Sequence, residues 1–156
     1  MRGNTGFTLV ELVVTVAIVG LLAAMAAPLV ETAARRSKEQ DLKAALMEIR
    51  NAIDAHKDAA DTARIRRAAG ESGYPASLQV LVDGVVDRTS PSSARIHFLR
   101  RIPRDPFAEG SLPAAQTWGL RSSDSPPDNP RAGKDVFDVR SLSEGKALDG
   151  SYYKDW

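Results

Sequence analysis

Glu11 is the side chain whose chemistry stands out first. It lies in the run GFTLVELVVTVAIVGLLAAMAAP, and no charged residue follows it from position 12 to position 30. At roughly 1.5 Å per helical residue that stretch spans about 28 Å, close to the thickness of a bilayer core. A central acid in a membrane costs about 2.5–3.5 kcal/mol and one near the interface less, so an acid placed here is expected to be functional and to have a partner. A chain cut a few residues upstream would supply that partner as the ammonium of its new N-terminus.

The remaining candidates for chemistry are few. The absence of cysteine removes disulfides, thiolate nucleophiles and cysteine-based zinc sites. His56 falls on or beside an apolar helix stripe and His97 among Ile96, Phe98 and Leu99, so both read as packed histidines. Asp124, Asp128, Asn129, Asp135 and Asp138 cluster in the C-terminal half. Oxygen ligands of this kind suit calcium, and Asp124 and Asp128 are the candidate ligands; the same residue types also form turns. The chain has no P-loop, dinucleotide fingerprint, GxSxG elbow, HExxH or EF-hand loop, and no local signature links a Ser, a His and an Asp. We therefore expect a protein that is not an enzyme. With 21 Lys and Arg against 20 Asp and Glu, it also has no net field to hold a nucleic acid.

These residues need elements to position them. Leu42, Leu46, Ile49 and Ile53 recur at steps of four, three and four, which predicts that a helix beginning near residue 8 continues as an amphipathic helix to about residue 69, ahead of Gly70, Gly73 and Pro75. Pro28 is the interior residue expected to kink or locally open it. A short helix over residues 77–82, a turn at Asp83-Gly84 and a polar loop through Ser93 follow. Residues 118–121 and 136–140 read as strands separated by SSDSPPDNPRAGKD. The fold class is α+β: a long N-terminal helix, membrane-spanning in its first half and amphipathic in its second, packed on a small antiparallel sheet.

The N-terminus has two readings. Ala24-Met25-Ala26 offers a secretory cleavage site after Ala26, which would release a soluble protein and leave Glu11 unexplained. Otherwise the run is a membrane anchor. Arg2 and the free amine precede it with no acid, which puts the N-terminus in the cytoplasm and the head outside, in the periplasm. Gly20 with Ala24, and Ala23 with Ala27, are small pairs four apart that suit close helix packing.

The same run, GFTLVELVVTVAIVGLLAAMAAP, resembles the N-terminal motif of the type IV prepilin family, which includes pilins and the pseudopilins of type II secretion. The resemblance implies that a prepilin peptidase cuts between Gly6 and Phe7 and that Phe7 becomes N-methylated. It further implies that Glu11 pairs with the Phe7 amine of a neighbouring copy in a filament, and that Gly20 and Pro28 bracket a segment whose helix can loosen. Four parts follow: a leader over residues 1–6, a transmembrane or filament-core helix over 7–30, an amphipathic helix over 31–69 and a pilin-like head over 70–156.

GYPASLQVLV, FLRRIPRDPF, WGLRS, DVFDVRS and ALDGSYYKDW are similar to segments of the major pseudopilins of type II secretion. Many type IV pilins close a C-terminal loop with a disulfide, which this chain cannot make. The implied function is structural: copies assemble with minor pseudopilins on an inner-membrane platform into a periplasmic filament that helps export folded proteins. The alternative within the family is a pilin serving adhesion, motility or DNA uptake. Major pseudopilins carry calcium in the C-terminal sheet and loops, but SSDSPPDNPRAGKDVFD departs from that acidic spacing. Asp124 and Asp128 thus rest on chemistry alone.

Overall fold

The computed structural model describes residues 7–156, with the side chains of residues 25–28 outside the description. Helix α1 spans Leu9–Asp61, α2 spans Leu78–Asp83, and four short strands follow: β1 Val85–Val86, β2 Arg95–Ile96, β3 Trp118–Arg121 and β4 Asp138–Ser141. Two compact units, Met1–Ser37 and Lys38–Trp156, divide the chain. The α+β class expected from the sequence is the one observed.

In the first unit the large apolar side chains described on α1 are exposed. Those described from Phe7 to Leu22 are between 50% and 80% exposed. The backbone of α1 is helical through position 28, where Pro28 stands.

The second unit begins with the amphipathic stretch of α1. Leu42, Leu46, Ile49 and Ile53 are fully buried, and they meet Leu78 and Leu81 of α2, Trp118 of β3 and Val139 of β4 in one core. Each such side chain contributes about 1.5–3 kcal/mol on burial. Helix propensity alone would not order these elements; the stripe does.

The helix ends at Asp61, eight residues short of the expected 69. The cause is Ile65. At about 100° per residue a continued helix would carry it roughly 140° away from the direction of Leu42, into solvent. Instead Thr62 Oγ1 donates to the Asp58 carbonyl at 2.7 Å, Ala63 takes φ +56°, and Ile65 N–H reaches back to the Ala59 carbonyl at 3.1 Å. Ile65 then buries against Ala59 and Ala60. Burying an isoleucine outweighs the few tenths of a kcal/mol of propensity per residue that continued helix would have gained.

Gly84 closes α2 at φ +73°, and its N–H bonds the Val80 carbonyl at 3.0 Å. A Cβ at this position would lie 2.8 Å from the Ile96 carbonyl oxygen and 2.9 Å from His97 Nδ1, so both the conformation and the close approach of β2 require glycine.

The strands form two separate antiparallel pairs rather than one sheet, β1 with β2 and β3 with β4. In the second pair Trp118 faces Ser141 and Arg121 faces Asp138. β4 begins at Asp138 rather than at 136. Val139 and Ser141 share its buried face, whereas buried Val136 is out of phase with them and gives its N–H to the Pro75 carbonyl at 2.8 Å.

The C-terminal residues strap this core to α1. Glu39 Oε1 accepts Tyr153 OH and Leu148 N–H, each at 2.9 Å. Arg50 donates to Asp138 Oδ1 at 2.8 Å, to the Val139 carbonyl at 3.0 Å and to the Trp156 carbonyl at 2.5 Å. Tyr153 stacks on Phe107 with centroids 4.1 Å apart, and Lys43 sits 4.3 Å from the centre of the Trp156 ring. Glu39→Ala strands a buried hydroxyl and an amide. Chemical denaturation followed by tryptophan fluorescence is expected to show a loss of about 1–3 kcal/mol, with Glu39→Gln losing less because it keeps an acceptor.

Candidate assembly site at the start of the long helix

The first turn of α1 is built around Thr8. Its Oγ1 accepts the Glu11 N–H at 3.2 Å and its carbonyl accepts the Leu12 N–H at 3.1 Å, which makes Thr8 the N-cap and Glu11 the third helical residue. Thr8-x-x-Glu11 is the spacing of a capping box, a signal present in the sequence beside the membrane pattern. Glu11 stands in the first turn, where the exposed N–H groups and the macrodipole favour a negative charge by about 0.3–1 kcal/mol.

Phe7, 79% exposed, precedes the cap. An ammonium on Phe7 would meet the positive end of α1, an unfavourable pairing that a carboxylate one turn on offsets. Gly6 lies outside the described residues. Around Gly20 a Cβ would meet nothing within 4 Å among the described residues, so the glycine there answers to no close contact within them. Pro28 and Ala26 belong to the stretch whose side chains lie outside the description.

His56 is packed as the sequence suggests, and His97 is not. His56 is buried beside Phe98, ring centroids 5.2 Å apart, and its Nδ1 pairs with the Gly73 carbonyl at 3.0 Å. Burial lowers its pKa below 6.5, partly opposed by the hydrogen bond to Gly73. His97 is exposed and its Nδ1 pairs with the Val82 carbonyl at 2.7 Å, near the end of α2.

The acids named for calcium each have other neighbours. Asp124 Oδ2 pairs with Lys134 Nζ at 2.9 Å, and Asp138 pairs with Arg50. Asp128 lines a cleft shared with Arg50, Arg121, Arg140 and Lys154. Among the described residues no three carboxylates or histidines form a group fit for a metal. Asp135, by contrast, is buried and surrounded by donors. Burial pushes its pKa up, but hydrogen bonds from Ser123, Ser72 and Ser122 outweigh that and hold it at about 2. Sequence reading missed this serine cluster because Ser72 lies far from Ser122 and Ser123 along the chain.

Two pH windows follow. The lowered pKa of His56 means that the unfolded chain binds its proton more readily, so stability is full above 6.5 and falls as the pH drops below it. The carboxyl of Asp135, and that of Asp87, to which Arg64 and Thr89 donate, are held at about 2 against an ordinary 3.8 and add a second loss between those values. Thermal unfolding between pH 7 and pH 5 should show the first decline, and His56→Gln should flatten it.

The first 27 residues match the prokaryotic N-terminal methylation motif. Over 110 residues, covering 69% of this chain and 68% of the relative, the sequence is 29% identical to the type II secretion system core protein G of Vibrio cholerae serotype O1. No solved structure matches the chain. Among the described residues one helix, α1, is long and apolar enough to cross a membrane. The chain carries a type IV prepilin-like N-terminus and is similar along most of its length to a type II secretion system core protein G.

Proposed function

We propose that this protein is a pseudopilin of a type II secretion system, most closely a major subunit. Prepilin peptidase cuts between Gly6 and Phe7 and methylates Phe7. The chain then sits in the inner membrane by residues 7–30, N-terminus in the cytoplasm and head in the periplasm. From there copies join one another and minor pseudopilins on the inner-membrane platform. Its role is structural, with no chemistry on a substrate.

One observation carries this reading. The large apolar side chains from Phe7 to Leu22 are at least half exposed, and this stretch contains a single carboxylate, Glu11, one turn from Phe7. Lipid covers that surface before assembly and helices of other copies cover it afterwards. In lipid Glu11 is costly unless paired. The methylated Phe7 ammonium of a neighbour removes that cost and sets the axial offset between copies. The relative named for type II secretion, together with the lack of any disulfide-forming residue, supports secretion over a pilus.

Mass spectrometry of the protein purified from membranes is expected to find an N-methylated Phe7 as the first residue; a chain starting at Ala27 would overturn the reading. Glu11→Ala and Glu11→Gln then separate charge from capping, because glutamine retains an acceptor for the first turn. Both variants should be cleaved after Gly6 and both should fail to form filaments. Filaments from Glu11→Gln at normal yield would show that the charge is not what assembly uses.

A further inference from the structure

The loop over residues 122–137 joins β3 to β4, and the resemblance to major pseudopilins implies calcium in this part of the head. Its donors are arranged for something else. Asp135 Oδ1 accepts Ser122 Oγ–H at 2.7 Å and Ser123 N–H at 2.9 Å, while Oδ2 accepts Ser123 Oγ–H at 2.6 Å and the hydroxyl of Ser72. Both oxygens therefore already take hydrogen bonds, and the hydroxyls point their protons at the carboxylate. Ser72 in turn accepts Tyr74 N–H at 3.3 Å, which fixes the segment that follows α1. The residue before Asp135, Lys134, places its ammonium 2.9 Å from Asp124 Oδ2.

Calcium takes about six to eight oxygens whose lone pairs converge on one point. Here the convergent groups are O–H and N–H, and a lysine charge occupies the neighbouring acid. The backbone is shaped to the same end. Ser122 N–H bonds the Arg131 carbonyl at 2.8 Å, and a Cβ on Gly133 would lie 2.7 Å from Ser122 Cβ and Oγ, so the loop closes onto Ser122 only because residue 133 has no side chain.

We propose that a three-serine cradle on Asp135 and a Lys134–Asp124 pair close the β3–β4 loop of this chain in place of a cation, so that the head folds and holds its C-terminal half without calcium. The carboxylate is the common acceptor that joins the loop to the segment after α1. Asp128, facing Arg121, Arg140 and Lys154 across a separate cleft, takes no part. Because the proposal concerns folding, it stands or falls independently of whether the chain serves secretion.

Thermal unfolding of the full chain in detergent micelles, followed by tryptophan fluorescence, tests it in millimolar calcium chloride and in EGTA. The native chain is expected to melt at the same temperature in both. Ser123→Ala, which removes one hydroxyl from the carboxylate, should lower Tm by about 2–5 °C in both media. Ser72→Ala removes a donor from the opposite side, should act alike, and serves where Ser123→Ala fails to fold. A Tm raised by calcium in the native chain would overturn the proposal, as would serine variants that melt like the native chain.

Discussion

Along the first turns of α1, the large apolar side chains are exposed. Each is worth about 1.5–3 kcal/mol when taken out of water, so the run from Phe7 to Leu22 as a whole is worth on the order of 20 kcal/mol. A single buried carboxylate costs only about 3 kcal/mol against it. The apolar term therefore decides that this segment leaves water, and Glu11 cannot prevent that. What Glu11 decides is which environment outside water is best, since plain lipid leaves the charge unpaired and an assembly that offers an ammonium does not.

The second stretch of the same helix solves its solvent problem internally. From Leu42 onward the apolar stripe is narrow and the head covers it, while the opposite face keeps its charges. Two polar residues of α1 then act as clamps. Glu39 and Arg50 each gather groups from residues more than eighty positions away, and through them the C-terminal strap lies on the helix. Because Asp138, Tyr153 and the Trp156 carbonyl are satisfied by α1, the short strands do not have to stabilise themselves, which two-stranded pairs do poorly. The helix thus supplies both the core and the polar partners of the head.

What the sequence discloses about this arrangement follows from the range of each interaction. The stripe at 42, 46, 49 and 53 is local, and it is legible as drawn. The stop at Asp61 is not, because the residues after it are good helix formers and only the burial of Ile65 against Ala59 and Ala60 turns the chain. β1 and β2 have two residues each, too few to show any alternation. The phase break at Val136 depends on the Pro75 carbonyl, and the cradle of Asp135 on Ser72; both partners lie about sixty positions upstream. At the N-terminus the membrane pattern drew attention to Glu11, yet Thr8-x-x-Glu11 was equally local and carries a second meaning for the same residue.

Those two meanings are compatible, and their combination explains why the acid sits where it does. At the third helical position a carboxylate compensates the exposed N–H groups of the first turn, so α1 can begin at Leu9 even in a low-dielectric setting where uncapped donors are costly. In the precursor, Phe7 contributes a neutral amide before the cap. On the proposed processing it becomes a cation at the positive end of the helix, and the balance changes: the dipole and the ammonium now both need negative charge, while each chain brings only one carboxylate within reach. A lone processed subunit satisfies that demand incompletely. In the proposed stack of offset copies, each Glu11 would be shared between its own first turn and the next chain's Phe7, so that cleavage itself would create the unmet charge that assembly resolves.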